Sequence, residues 1–544
     1  MKKKMLALVV AASMLMSLIA ACSSKEETED NKPRNSAVPQ NLNATGYPVV
    51  NEKVTLKLMG AKGANQGPWD QMMFFEEMEK ITNIHFDFDT PDSKVFQEKK
   101  NLTFASDNLP DVFFAGSLTT FDQINYGKQG LLIPLEDLID QYAPNFKALM
   151  DENPAIRRAI TAPDGHIYAL PQVSDIIRDM MFFRTYLNAE WMEALGNPQV
   201  PQTTDELLEL LKRFRDEDPN RNGKQDELPL SFINVKNDSL NMARTYIMPA
   251  FGVLEDRPNQ SRLQVSEDKV KAVFMSEGYK EFLKYMKTLH DEKLLDPEIF
   301  THTDQQLKAK GQENVIGMTM HAAPFSVFKV EKPEDNEKYP LVMPLTSAMN
   351  SEKLFTPRPN ITIGTFAITK NNPHPEATMR WVDYLYTPEG FMLGNQGIEG
   401  EAWKWKDESK NEWERITPEG MNKEEFRAQN TPDIGSTIPL LKSMELNYKQ
   451  NDLVNNILNK QADELSQYAQ EAMPLLFLSE EEESRANILK NDLMNYIAQM
   501  EAKFVLGKES FDNWDSYVST LKKMNVDEYV EIYQNAYDRW KDTK

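Results

Sequence analysis

The sequence predicts an α/β fold built on a parallel sheet, and three observations predict it. Short segments that alternate apolar and polar residues recur between longer helix-patterned segments. Over the first part of the chain their order is strand, helix, strand, helix, strand, which puts helices on both faces of a parallel sheet. Gly-bearing breaks at 60–69 and 116–119 follow two of these strands, and ligands of such sheets sit beyond the carboxyl ends of strands.

The elements follow in order. Residues 54–59, Val-Thr-Leu-Lys-Leu-Met, alternate at period two and read as a strand. The break that ends at Pro68 leads to Trp69 and a helical run over 70–81. Residues 84–88, Ile-His-Phe-Asp-Phe, alternate again. A second helical stretch ends near Asn108, and 109–114 reads as a buried strand running into Ala115, Gly116 and Ser117. Residues 130–139 enter a helix, and Asp164-Gly165 marks a turn before 167–171. Residues 180–186 form a further candidate strand, followed by a helix around 190–195. The run 204–211 is a capped amphipathic helix. From about residue 451 the pattern is nearly all helical, and no repeat of solenoid or propeller period occurs.

The first two dozen residues are of another kind. Lys2, Lys3 and Lys4 precede an uncharged run over 5–19, too short to span a bilayer comfortably. Ile19-Ala20-Ala21 then lead to Cys22, the chain's one cysteine. This resembles a bacterial lipobox, with Ile19 where Leu is commoner. The resemblance implies cleavage before Cys22, lipid on its thiol and a place on the outer face of the cell membrane. The plainer alternative is a secretory signal with an incidental Cys. Residues 1–21 are thus expected to be signal peptide. Residues 22–50, rich in charge, Ser, Asn and Pro, are expected to form a lipidated flexible tether. With Cys22 committed to lipid, the fold has no thiol left for a disulfide.

The mature 523 residues of the 544 are long enough for two or three lobes with substantial cores. The formal net charge of −23 becomes −26 when the three signal-peptide lysines are lost. That balance argues against nucleic-acid partners and against electrostatic docking on anionic lipid. No second apolar stretch of about 18 residues occurs, so only the lipid is expected to touch membrane.

The sharpest chemical motif runs from Asp218 through Asn220, Asn222 and Gly223 to Asp226 and Glu227. Side-chain oxygens at positions one, three, five and nine with Gly at six reproduce the start of an EF-hand loop. Lys224 would lend its backbone carbonyl. Pro229 stands where the bidentate Glu belongs, and Asp226 or Glu227 is expected to supply that carboxylate instead. The expected cofactor is one structural calcium ion; the bland alternative is a solvated Asx-rich turn.

Together these features resemble the family 1 extracellular solute-binding proteins of ABC importers, in particular the large alginate-oligosaccharide-binding-like and LplA-like lipoproteins. The resemblance is carried by Leu109-Pro110-Asp111-Val112, by 164–171, by Phe183-Arg184 leading to Trp191, by the calcium loop, by Gly397-Ile398-Glu399-Gly400 and by the tail from Trp514 to Tyr537. It implies a two-lobed periplasmic-binding-protein-like fold of type II, with hinge-crossing strands and a largely helical C-terminal region. The expected N-lobe is 51–173 plus 364–430 and the C-lobe 174–363 plus 431–544. The chain is expected to be a monomer that captures an oligosaccharide and passes it to the permease subunits of an ABC importer.

Sugar sites combine aromatic platforms with hydrogen-bonding groups. The candidates are Asn65, Trp69 and Asp70 in the first break, Arg184, Phe325 after the strand-like run 315–320, and Trp403 and Trp405 in a polar loop. The bland alternatives are core positions for the rings and solvated or paired positions for the charges. The six histidines, at 85, 166, 290, 302, 321 and 374, show no metal spacing, and no P-loop or G-x-S-x-G pattern occurs. No catalytic residues are assigned. The other classes to weigh are an extracellular carbohydrate-active enzyme and a surface adhesion protein.

Overall fold

The computed structural model describes residues 39–542 apart from 236, 237, 239, 408, 410, 411 and 436. The expected signal peptide, Cys22 and the first part of the expected tether lie outside the described residues. Among the described residues no helix is long and apolar enough to cross a membrane.

Two sheets organise residues 42–542. The first contains β1 (Val54–Met59), β2 (Ile84–Asp89), β3 (Val112–Phe114), β4 (Leu170–Ser174), β11 (Ile361–Ile368) and β14 (Leu440–Lys442), in the order β14-β4-β11-β3-β1-β2. Every strand is parallel except β11, which runs antiparallel to both β3 and β4. β1 alternates buried and exposed positions until its last two residues. The helix Met73–Thr82 covers it with Phe74, Phe75 and Met78 and ends at Asn83, whose left-handed backbone lets its N–H close on Glu79 O.

The second sheet contains β5 (Arg184–Leu187), β6 (Leu228–Leu230), β9 (Ile316–His321) and β10 (Leu341–Val342), in the order β10-β5-β9-β6. Here β5 is antiparallel to β9 and β10, while β6 is parallel to β9. Each sheet has its own core. The helices Glu277–Asp291, Glu480–Val505, Trp514–Lys523 and Val526–Asp542 close the second, while Trp381, Phe114 and Phe146 sit in the first. Two cores joined by a few crossings make two lobes, each holding its own shape.

The chain crosses between lobes three times: from β4 to β5, from β10 to β11, and onward from β14 to the C-terminal helices. All three crossings meet the first sheet at the edge where β1, β2, β3, β4 and β14 end, because β11 alone runs the other way. That edge therefore faces the second lobe.

Two boundaries differ from the sequence reading. Residues 42–50, expected within a flexible tether, pack on the first lobe. Val49 and Val50 are buried, and their N–H groups donate to Thr82 O at 3.0 and 3.3 Å. The Arg380 guanidinium clamps the segment by donating to the carbonyls of Asn43 and Gly46. Three apolar residues, Leu42, Val49 and Val50, suffice to draw this polar stretch into the core. Residues 438–442, expected in the C-lobe, extend the first sheet instead, with Ile438 and Leu440 in its core.

Candidate functional site

The first-lobe edge is built from rigid loops. After β3, Ala115 and Ser117 adopt positive φ of 53° and 45°, a conformation that costs a non-glycine residue about 1 kcal/mol or more. Buried Lys100 holds the loop there, donating to Ser117 O at 2.8 Å and to Asp122 Oδ2 at 2.7 Å. Burial pushes the Lys100 ammonium below its usual range, and the Asp122 carboxylate opposes that shift. On the other side Leu118 N–H donates to Gly364 O at 2.9 Å. Gly364 has φ +69°, and a Cβ there would stand 1.9 Å from Leu118 O, so only glycine permits this approach. After β1, the Gln66 side chain accepts from Gly63 N–H at 2.8 Å and donates to Pro432 O at 2.9 Å, stitching the 60–66 loop to the 431–435 loop.

Lys442, at the end of β14, lies 3.3 Å from Asp179 and 3.5 Å from Asp433. Burial works against its charge, yet these two carboxylates raise its pKa above the usual lysine value. The first crossing is thereby pinned to the sheet it leaves.

The second-lobe edge carries rings. Phe182 is 38% exposed and Phe325 48%. The Arg358 guanidinium lies over the Phe182 ring at 4.3 Å and the Phe183 ring at 4.9 Å. The backbone N–H of Arg358 donates to Met180 O at 2.9 Å, so the first two crossings are tied together beside those rings. A cavity of about 290 Å³ opens between the lobes. Thr120 and Ile361–Ile363 line it from the first lobe and its crossing strand, and Asn259, Glu483, Lys490 and Tyr533 from the second. The combination of rings, amides and charged forks suits hydroxyl-rich ligands with apolar faces.

The expected site residues separate. Phe325 stands at the inter-lobe edge, on the turn after β9. Asn65 is exposed at the mouth of a groove of about 820 Å³ beside the helix Lys423–Asn430, and Asp70 is exposed on the turn Trp69–Gln71. Trp69 is a correction. It is 1% exposed and packs against Phe75 and Phe114 in the first core, because the 60–69 loop folds its ring inward under Gly60. Arg184 is another. Its three nitrogens donate to Tyr186 Oη, Met181 O and Ala322 O at 2.9, 2.8 and 2.6 Å, so it fastens β5 to β9 and positions the rings beside it.

Trp403 and Trp405 are a third correction. They lie on the hairpin of β12 (Trp403–Asp407) and β13 (Glu412–Arg415), and Trp403 donates to Gly397 O at 2.9 Å. Both line a groove of about 430 Å³ formed by first-lobe residues such as Ile81 and Tyr384 together with Leu446, and Trp403 is buried in the first core rather than standing free in a polar loop. Sequence reasoning missed Phe182, Arg358 and Lys490. The available signal for Arg358 was its place between Pro357 and Pro359, which biases the backbone there toward extended conformations.

A Ser231–His302–Asp296 grouping also occurs, with Ser231 Oγ 3.3 Å from His302 Nδ1. All three are buried, and Ser231 donates to Asp296 Oδ2 at 2.7 Å, so no substrate reaches the hydroxyl.

The loop after the helix Thr204–Asp216 is closed by side-chain-to-backbone hydrogen bonds. Asp218 accepts from Asn222 N–H at 3.2 Å and Gly223 N–H at 3.1 Å, with Gly223 at φ +72°. Asn222 Oδ1 accepts from Lys224 N–H at 2.8 Å. The amides of Asn220 and Asn222 converge on Asp226 at 3.2 and 3.0 Å. Glu227 Oε1 is buried without a partner, and burial, then the charges of Asp226 and Asp218, push its carboxyl above the usual range. Among the described residues no three His, Cys, Asp or Glu side chains gather closely enough to hold a metal ion. The side chains of this loop also include the amide oxygens of Asn220 and Asn222, which lie outside that set of residue types.

Residues 60–390 match the family described as bacterial extracellular solute-binding protein. The chain belongs to that family. This solute-binding protein is 29% identical over 554 aligned positions to the fructooligosaccharide ABC transporter substrate-binding protein FusA of Streptococcus pneumoniae, covering 97% of each chain. It is 25% identical over 365 positions to the polygalacturonan/rhamnogalacturonan-binding protein YtcQ of Bacillus subtilis, covering 66% of this chain and 68% of that one. The solved structure of a FusA EF-hand mutant in complex with fructo-nystose superposes with a TM-score of 0.73 at 26% identity, over 90% of this solute-binding protein and 100% of FusA.

Proposed function

We propose that this protein is held by lipid on Cys22 at the outer face of the cell membrane. There it captures an oligosaccharide between its lobes and delivers it to the permease subunits of an ABC importer. The observation that carries the reading is the pair of facing edges. Three crossings bring the strand ends of one sheet opposite the exposed rings of Phe182 and Phe325, with a cavity lined from both sides. Relatives named for saccharide binding and ABC transport support the ligand class and the partner. The protein binds sugar without altering it. Titration with oligosaccharides should change intrinsic fluorescence while chromatography of the recovered sugar shows no cleavage. Products accumulating with time would make it an enzyme instead.

The loop at 218–227 is proposed to hold one structural calcium ion through Asp218, Asn220, Asn222, the Lys224 carbonyl, Asp226 and Glu227. Its fit rests on the unpartnered buried Glu227 oxygen and on three acids crowded in one short loop, and a relative described as an EF-hand mutant agrees. Bound only by the folded state, calcium at about 100 times its Kd stabilises by about 2.7 kcal/mol. A chelator should lower the Tm of the wild type and leave Asp218→Ala unmoved. Equal melting of both, with and without chelator, would reduce the loop to a turn.

A further inference from the structure

Charge at the inter-lobe site runs against that of the whole molecule. The chain carries a formal −23, yet its facing edges gather cations without a carboxylate at ion-pair distance, although Asp179 acts on Arg358 and Asp256 and Glu483 act on Lys490 from further off. Among the described residues no carboxylate lies within 4.0 Å of Arg257, Arg358 or Lys490. Arg358 rests on the phenyl rings, and Arg257 donates to Thr245 Oγ1 at 3.3 Å. Burial, and then the nearby Arg257 charge, weaken the charged form of Arg358. Their chain neighbours, Pro258 and Pro359, line the cavity that Lys490 also lines. Lys490 donates to Asn259 O at 3.2 Å.

The acids nearby are committed elsewhere. Asp179 is shared by Ser174 and Lys442. Asp256 accepts from Ser261 and Asn259. Glu483 lies in the same cavity, where burial lifts its carboxyl above the ordinary range. Leaving cations desolvated and unpaired is costly, and burial lowers the pKa of both Arg358 and Lys490. An anion arriving with the ligand would relieve that cost, and a guanidinium fork suits bidentate pairing with a carboxylate.

We infer that the cleft is built for a saccharide bearing an anionic group, a carboxylate of the uronate kind, seated on Arg358 and Arg257 with Lys490 beside them. This rests on the proposed capture of an oligosaccharide between the lobes and names its chemical class.

The test is calorimetric titration of the mature protein with an α-1,4-linked galacturonate trimer and, in parallel, with neutral kestose. The acidic trimer should bind, and its affinity should fall about 10-fold or more between about 20 mM and about 200 mM salt. Arg358→Gln should weaken it by about 30-fold. Lys490→Gln, a change at a different element, should weaken it in the same direction and flatten the salt dependence. The inference is overturned if the trimer gives no binding heat, or if both variants keep the wild-type affinity and salt slope. Tight kestose binding in either of those cases leaves the proposed function standing; failure of both sugars removes the support for both.

Discussion

Trp69 lies against Phe75 with ring centroids 5.5 Å apart and meets Phe114 edge-on at 5.8 Å. Replacing it by Ala should cost about 3–5 kcal/mol of stability and leave saccharide affinity nearly unchanged in whatever fraction folds. Phe325 predicts the reverse. Half exposed at the cleft edge, its loss to Ala should cost about 1–3 kcal/mol of affinity with little movement of Tm. Calorimetry beside thermal melting separates the two, and a destabilised Phe325→Ala with intact binding would contradict the assignment. The contrast shows why site residues were only partly legible. A Trp in a Gly-flanked loop and a Phe after a buried strand carry the same local signal. What decides between them is Phe114, 45 positions beyond Trp69 in the chain, and no local pattern encodes that meeting. Arg184 was noticed for its charge, but one of the carbonyls that consume it, Ala322 O, lies 138 positions away in the chain.

At the scale of elements, the second lobe is tied by a buried charge network. Arg244, on the helix Asn241–Tyr246, pairs with Asp238, Glu255 and Glu501, the last on the long helix Glu480–Val505. Arg262 shares all three carboxylates, and Tyr279 donates to Glu501. Removing one member strands opposite charges in a dry interior, so Glu501→Ala should destabilise by about 3–5 kcal/mol, read as a lowered midpoint in denaturant. Burial opposes ionisation of Asp238, but Arg244 and Arg262 outweigh it and hold its pKa below the usual aspartate value. A carboxylate depressed in the folded state contributes stability above about pH 4, its unfolded pKa, and loses it as pH falls through the folded value. Acid unfolding of the wild type should therefore steepen below about pH 4, and Asp238→Asn should flatten that limb. A limb of unchanged slope in the variant would remove Asp238 from the account.

Elements themselves were largely readable where period and caps agree. The strands 54–59 and 84–88 and the helix after Thr203, whose side chain and Glu206 form a capping box, appear close to where the pattern puts them. β14 was not legible. It has three residues, and its place beside β4 is fixed by long-range pairing with Gln172, Val173 and Ser174, which period cannot reveal.

At the scale of the molecule, two lobes with separate cores joined by three crossings form a hinge, and closing that hinge over a ligand is the movement such a frame permits. The proposed lipid anchor should be separable from it. Cys22→Ala should abolish membrane retention in fractionation and leave saccharide affinity intact, since Cys22 lies 20 positions before Leu42, where the first lobe's packing begins; retention of the variant in the membrane fraction would contradict the anchor. The most direct measurement of the central claim is X-ray scattering from the mature protein, alone and saturated with whichever of the galacturonate trimer or kestose it binds. The account predicts a smaller radius of gyration with sugar bound, and sugar recovered uncut. A bound sugar that leaves the radius unchanged would contradict capture between the lobes.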